Sequence, residues 1–336
     1  MRNSDRKMNE KLKAVIAMVL FLAAVIVISV LIFLPYKKVW SKDNHYDTLF
    51  IGASRTYKGI QPNLVDADLG CNSYLMASDS CRIEERYMLI QSALEQGTLK
   101  TVVLEISVDA LTDSYETMDN AYIFLIEPMS KLEGLGRKLN FCAERFNFWN
   151  DDYDNVYPTM LDFGLVRWDQ NMRGWQEEKG YIPFGQIPMG ESAETAAETH
   201  DSIVVNDNYL DRKKEAVEKI IELCQENGIR IVIINTPDTE IFVWQHYGWE
   251  AYQDYMNGVA EKYGIEKYDF NLLKDRQQYF DDNLTFTDYT HLCEDGSAIF
   301  SPLMADILRR GESEDLSYMF YDSYEEAKTH SVYAVQ

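Results

Sequence analysis

The stretch Asp47-Thr48-Leu49-Phe50-Ile51-Gly52-Ala53-Ser54-Arg55 decides how this chain folds. Thr48 to Ile51 is a short apolar run that stops at Gly52-Ala53-Ser54, the pattern of a buried strand ended by a turn. Outward from it, strands and helices alternate. Residues 80–96 carry Ile83, Tyr87, Ile90 and Leu94 on one helical stripe, closed by Gly97. Thr101–Ile106 (TVVLEI) reads as a buried strand. Leu210–Asn227 repeats the helical pattern through Val217, Ile220, Ile221 and Cys224 and ends at Gly228. Arg230–Asn235 (RIVIIN) is a second core strand, stopped at Pro237. Trp249–Tyr263 reads as an amphipathic helix, Ile265–Asp269 as a short strand and Gly296–Arg309 as the last helix. Near-continuous apolar strands alternating with helices predict an α/β fold, a parallel sheet covered on both faces.

Between Val108 and Asn208 the alternation fails. The stretch is rich in Tyr, Phe, Trp, Asn and Asp, as in Phe146-Asn147-Phe148-Trp149-Asn150-Asp151-Asp152-Tyr153. It is expected to be an insertion, residues 109–208, over the carboxyl edge of the sheet, where open α/β folds bind ligands. For most of its aromatics, the core of a helical subdomain is the more common role. Residues 311–336 form an acidic, aromatic tail expected to be surface-bound or partly disordered.

The chain has 336 residues, 46% hydrophobic and 13% aromatic, which excludes disorder for most of it. Its charge is divided. Residues 1–42 hold eight basic residues against two acids, a sum of +6, which leaves −29 for the rest of a chain whose total is −23. So acidic a body repels phosphate backbones and argues against a nucleic-acid partner. Ala14 to Leu34 is a 21-residue apolar run in which Ser29 is the one polar side chain. A helix of that length covers the ~30 Å hydrocarbon core of a bilayer. It is longer than a cleaved signal peptide's apolar segment, and Pro35-Tyr36-Lys37-Lys38 offers no small-residue cleavage site. Five basic residues precede the run and three follow. The expected topology is a cytoplasmic tail (1–13), one transmembrane anchor (14–34) flanked by Tyr36 and Trp40, and an extracytoplasmic body at the plasma membrane. Five cysteines, Cys71, Cys81, Cys142, Cys224 and Cys293, make an odd count without a CxxC. Neither a metal site nor a disulfide framework is legible, and a Cys71–Cys81 bridge stays open.

Two short motifs carry chemistry. In Gly52-Ala53-Ser54-Arg55 a serine sits at a strand's carboxyl end, where a sharp turn exposes the hydroxyl and aims backbone N–H groups at a reacting carbonyl. Gly52 permits close backbone approach. Alone, Gly-x-Ser after a strand is usually just a turn. The second motif is Asp288-Tyr289-Thr290-His291, just before the last helix. A serine needs a base, and the base needs an acceptor that fixes its tautomer; an Asp three residues ahead of a His supplies both from one loop. Of five histidines, His45 lies beside the expected membrane, His200 and His246 in polar loops and His330 in the tail, so His291 alone stands between sheet and helix. Either motif by itself is weak; the two in this order, at opposite ends of one alternating domain, are stronger.

Together, Gly52-Ala53-Ser54 after the first strand and Asp288-Tyr289-Thr290-His291 before the last helix resemble the SGNH/GDSL hydrolase superfamily. Residues 47–55, with Gly59-Ile60-Gln61-Pro62 downstream, look most like its membrane-anchored bacterial branch. That branch includes proteins similar to the D-alanyl-lipoteichoic acid biosynthesis protein and alginate O-acetylation proteins. The resemblance covers roughly residues 46–108 and 209–310 of a domain spanning 46–310. It implies a three-layer α/β/α, flavodoxin-like fold with about five parallel strands, and no cofactor. It implies Ser54 as nucleophile, His291 as general base and then acid, and Asp288 as orienter. Two departures stand out. Asn72-Ser73-Tyr74-Leu75-Met76-Ala77-Ser78 replaces the block that usually supplies an oxyanion-hole glycine, so Ser78 or Ala77 stands in through its N–H. The Gly-x-Asn-Asp block is absent, the chain running Glu105-Ile106-Ser107-Val108-Asp109; Arg55 offsets that loss, holds an anionic substrate, or pairs with an acid of the body. The expected function is a serine esterase or O-acyltransferase acting on acyl esters of cell-envelope or secreted polysaccharide. The rival is a non-hydrolytic accessory subunit that partners a multi-span O-acyltransferase.

Overall fold

The computed structural model describes residues 12–13, 15–25, 27, 45–94, 97–112, 179–186 and 203–334. The apolar runs pair as the central sheet: β1 (Thr48–Gly52), β2 (Ser73–Ala77), β3 (Thr101–Glu105), β4 (Arg230–Asn235) and β5 (Glu266–Asp269). All are parallel, in the order β2-β1-β3-β4-β5. Gly52 pairs with Ala77, and Ile51 with Leu104, so these strands reach the carboxyl edge in register. Every connection therefore crosses over, and helices fill the crossovers.

Helices α1 (Ser54–Gly59), α2 (Pro62–Leu69), α3 (Ile83–Leu94), α4 (Val108–Leu111) and α5 (Asp211–Glu226) are followed by α6 (Glu240–Gln245), α7 (Glu250–Tyr263), α8 (Glu294–Gly311) and α9 (Tyr324–Thr329). The two-residue period of the strands divides the core. Leu49, Ile51, Met76, Val102, Leu104, Ile231 and Ile233 point to one face, packed with residues of α3, α5 and α7 such as Ile90, Val217 and Met256. Phe50, Leu75, Val103, Val232 and Ile234 point to the other, against Val65 of α2 and Phe300 and Met304 of α8. Each such side chain contributes about 1.5–3 kcal/mol on full burial. The result is an α/β fold of three layers around a five-stranded parallel sheet, as the alternation predicts.

The elements missing from the sequence reading are short. α1 and α2 fit no long periodic pattern; α2 is marked by Pro62 at its start and by Gly70 at φ 65° after its end. A two-stranded parallel ribbon, Ile203–Val204 with His246–Tyr247, stands apart from the main sheet.

Residues 15–25 and 27 are helical and exposed. Among the described residues no helix is long and apolar enough to cross a membrane. The remainder of the 14–34 run, with Tyr36 and Trp40, lies outside the described residues, as do His200, Phe146–Tyr153 and Cys142. Cys71, Cys81, Cys224 and Cys293 are free thiols, so Cys71 and Cys81 are not bridged. Burial pushes the Cys71, Cys81 and Cys224 thiols up to about 12, which leaves them unreactive.

Of the insertion expected at 109–208, residues 113–178 and 187–202 lie outside the described residues. Residues 179–186 run back along the body: the Lys179 carbonyl accepts from Leu75 N–H at 2.9 Å, Ile182 N–H donates to the Tyr57 carbonyl at 3.1 Å, and the Phe184 carbonyl accepts from Glu294 N–H at 2.9 Å. The acidic tail does not lie on the surface throughout. Tyr324 is 1% exposed, stacks on Trp249 at 4.6 Å and donates to Asp269 Oδ2 at 2.7 Å. Its aromatic ring has more to gain inside than its acidic neighbours lose.

Candidate active site

At the carboxyl edge, β1 ends in Gly52 and the chain turns at once into α1. Ala53 is extended and Ser54 is the first helical residue. The turn is tight because Gly52 has no side chain. A Cβ there would lie 1.9 Å from Thr56 Oγ1 and 2.7 Å from Glu105 Oε2. The close approach that glycine permits is thus made to Glu105 at the end of β3. Glu105 is fully buried, accepts Ala53 N–H at 3.1 Å and faces the buried Arg86 guanidinium at 3.6 Å. Arg86 also donates to the Glu105 carbonyl and, at 3.1 Å, to that of Cys81. A buried ion pair thereby fixes the backbone one residue before Ser54.

Along α1, Ser54 and Lys58 are partly exposed, while Arg55, Thr56 and Tyr57 between them are buried. Ser54 and Lys58, four apart, share the open face. Ser54 Oγ lies 2.7 Å from His291 Nε2, although 237 residues separate them in the chain. His291 Nδ1 lies 2.8 Å from both Asp288 carboxylate oxygens. Burial alone would raise the Asp288 carboxyl, but the His291 hydrogen bond and charge, the Thr290 N–H and the Lys58 ammonium outweigh it and hold it at about 2. An ionised Asp288 only accepts, so His291 Nδ1–H donates to it, and the neutral ring's Nε2 accepts from the Ser54 hydroxyl.

The loop carrying Asp288 and His291 is pinned locally and from outside. Thr290 N–H donates to Asp288 Oδ1 at 2.9 Å, an Asx turn that aims the carboxylate at the ring. Thr287 N–H donates to the His291 carbonyl at 2.9 Å, and Phe286 bridges Leu292. From beyond β4, Thr239 donates to the Tyr289 carbonyl twice, through N–H and Oγ1, each at 2.9 Å.

Arg55 is placed otherwise than for contact with an anionic substrate. Its side chain is 3% exposed, and its guanidinium donates to Asp238 Oδ1 at 3.0 Å and Asp109 Oδ2 at 3.4 Å. The charge available beside Ser54 is that of Lys58, whose Nζ sits 4.3 Å from the centre of the Phe184 ring. Ser78 follows the residue paired with Gly52, which sets it beside the turn, and it is buried. Of the other histidines, His246 Nδ1 bonds the Phe242 carbonyl at 2.7 Å and His330 stacks on Tyr321, both remote from Ser54 in their contacts.

A cleft of about 430 Å³ lies elsewhere, between β5, α7 and the C-terminal segment, and includes Gln253, Lys267 and Tyr321. Neither Ser54, His291 nor Asp288 lines it. Side-chain chemistry outranks cavity volume here, because that cleft has no histidine in its lining, whereas Ser54 meets one at 2.7 Å. Among the described residues no group of three His, Cys, Asp or Glu is placed to hold a metal ion.

Glu105, Arg86, Asp238, Thr239, Thr290 and Lys58 escape the sequence reading. Position gives a signal for two of them: Glu105 and Asp238 stand at or just past the carboxyl ends of β3 and β4, the edge on which Ser54 lies.

No family model and no curated protein matches the sequence. Among solved structures, a GDSL-like lipase from Bacteroides thetaiotaomicron is similar over 80% of this chain and 90% of its own, at 9% identity and a TM-score of 0.37. A candidate acylhydrolase from Bacteroides fragilis is similar over 79% and 86%, at 9% identity and a TM-score of 0.36.

Proposed function

We propose that this protein is a serine esterase or O-acyltransferase, anchored by residues 14–34 in the plasma membrane with its body outside, acting on acyl esters of cell-envelope or secreted polysaccharide. The observation that carries the reading is the chain of contacts Ser54–His291–Asp288, at 2.7 and 2.8 Å. Ser54 Oγ attacks the ester carbonyl while His291 Nε2 takes its proton. The tetrahedral intermediate collapses, the C–O bond to the leaving alcohol breaks, and His291 returns the proton to that oxygen. An acyl-Ser54 ester remains. Water, or a glycan hydroxyl, then gives its proton to His291 and attacks the same carbonyl, and Ser54 leaves with that proton. Asp288 steadies the imidazolium in both halves. The N–H groups of Ser54, at the start of α1, and of Ser78 are the donors assigned to the oxyanion.

Labelling of the full chain, held in detergent micelles, by a fluorophosphonate probe tests this. Ser54 labels, and His291→Ala or Ser54→Ala abolishes the adduct; a folded chain that does not label refutes it. One observation favours a second reading, the non-hydrolytic accessory subunit. The segment after β3 runs Ile106-Ser107-Val108-Asp109, and Asp109, paired with Arg55 at 3.4 Å, offers a carboxylate and not an asparagine donor. A lost donor costs about 10²–10³ in rate. Failure to label, with co-purification of a multi-span acyltransferase, selects that reading.

A further inference from the structure

The contacts around Ser54 close into a ring. Ser54 is bonded to Arg55, whose Nε donates to Asp238 Oδ1 at 3.0 Å. Asp238 is bonded to Thr239, which donates twice to the Tyr289 carbonyl at 2.9 Å. Tyr289 leads through Thr290 to His291, and His291 Nε2 meets Ser54 Oγ at 2.7 Å. Three non-covalent contacts thus join three separate segments, those following β1 and β4 and that preceding α8.

We propose that Arg55 and Asp238 are a positioning pair that sets the Ser54 hydroxyl against His291. The proposal rests on the esterase reading above. Neither residue is placed to touch substrate: both are buried, with 3% of each side chain exposed. Asp238 is itself held in place. Its N–H donates to Asn271 Oδ1 at 2.7 Å, its Oδ2 accepts from Asn271 Nδ2 at 3.1 Å, and Arg276 donates to its carbonyl. It is therefore an anchor fixed to the segment after β5, and Arg55 transmits that fixed point to the nucleophile. The guanidinium's second contact, with Asp109 of α4 at 3.4 Å, ties in the segment after β3. One planar, multi-donor side chain thus joins the carboxyl ends of three strands, which a lysine's point charge reproduces only in part.

A pair that merely stabilised the fold would lower the folded population and leave the chemistry of the folded molecules alone. A positioning pair acts on the reacting geometry, where displacement by about 1 Å costs up to ~10² in rate. Turnover of p-nitrophenyl acetate by the full chain in micelles, with fluorophosphonate labelling in parallel, separates the two. Asp238→Asn preserves shape and both Asn271 contacts; Arg55→Met removes the donor. Each is expected to lower kcat about 10- to 100-fold with KM within about twofold, in samples confirmed as folded by thermal melt. Arg55→Lys recovers part of the loss. Arg230→Met, which breaks the ion pair with Glu266 at 2.7 Å at the opposite edge of the sheet, is the control, and its kcat stays native. Thr239→Val, opening the ring at another point, adds little to Asp238→Asn, since a ring once opened is not opened again.

Native kcat in folded Asp238→Asn, or equal losses in Arg230→Met, overturns the proposal while leaving the esterase reading intact. If Arg55→Met fails to fold, Asp238→Asn and Arg55→Lys decide alone. A wild-type chain that neither labels nor turns over overturns the esterase reading first, and this proposal with it.

Discussion

Replacing Gly52 by alanine tests whether the turn before Ser54 depends on space or on backbone freedom. The added methyl would lie 1.9 Å from Thr56 Oγ1, 2.7 Å from Glu105 Oε2 and 2.8 Å from Glu105 Cβ. None of these can retreat cheaply. Thr56 is buried in α1, and Glu105 is pinned between Ala53 N–H and Arg86. Forcing an extra carbon into such a site costs about 1–3 kcal/mol. Pushing Glu105 off the Ala53 amide leaves a buried donor unsatisfied, a further ~1–3 kcal/mol. The expected loss is about 2–6 kcal/mol, out of a total stability of order 5–15 kcal/mol. At roughly 2 °C per kcal/mol for a chain of this size, the melting temperature falls by about 4–12 °C. Gly70→Ala supplies the comparison. Gly70 has φ 65°, and a methyl added there would meet nothing within 4 Å, so its substitution costs only the backbone term, about 1 kcal/mol. Urea titrations of the two variants against the parent measure both. A Gly52→Ala chain no less stable than Gly70→Ala would falsify the steric account of the turn.

Asp288→Asn keeps the loop's shape but offers His291 an amide in place of an obligate acceptor; kcat for ester turnover is expected to fall about 10²–10⁴ with KM little changed. Asp238 sets a pH signature. Burial pushes it up to about 6 against the opposing pull of Arg55 and Asn271, so the folded state binds its proton more tightly than the unfolded chain, where an Asp titrates near 3.9. Its contribution to stability is present below about pH 4 and is lost as pH rises through 6. Denaturant titrations between pH 4 and 7 should therefore show a downward slope in the parent that Asp238→Asn removes. Asp288, held at about 2, has the opposite sign: its contribution is present above about pH 4 and fades only as pH falls towards 2. Tyr324→Ala removes the ring stacked on Trp249 and the hydroxyl on Asp269. The loss is about 3–5 kcal/mol, read by thermal melt, and a native melt would return the tail to the surface.

The central strands are legible because burial on both faces demands unbroken apolar runs: RIVIIN at 230–235 matches its strand at both ends. Helices long enough to show period, such as Asp211–Glu226, are legible for the same reason. α1 and α6 have six residues each, under two turns, and no period can declare itself in that length. Ser54, Asp288 and His291 stand out only as a set, because each motif alone reads as an ordinary turn and only their order along one alternating domain points to chemistry. Arg55 shows the limit. Sequence shows a cation beside a serine, but only the distant Asp238 and Asp109 decide where its charge is spent. Tyr324 is obscured by its acidic neighbours, whose solvation says nothing about the ring between them.

The 237 residues that separate Ser54 from His291 also separate them in time. At about 5–20 residues per second, the ribosome needs roughly 12–47 s to travel from one to the other. Throughout that interval Ser54 exists without its base, and the segments after β4 and β5 that fix Arg55 have yet to follow. Each newly made chain is thus chemically silent until its C-terminal third has emerged and docked. On the esterase reading, a chain assembled in that sequence cannot act on esters it meets while still being synthesised.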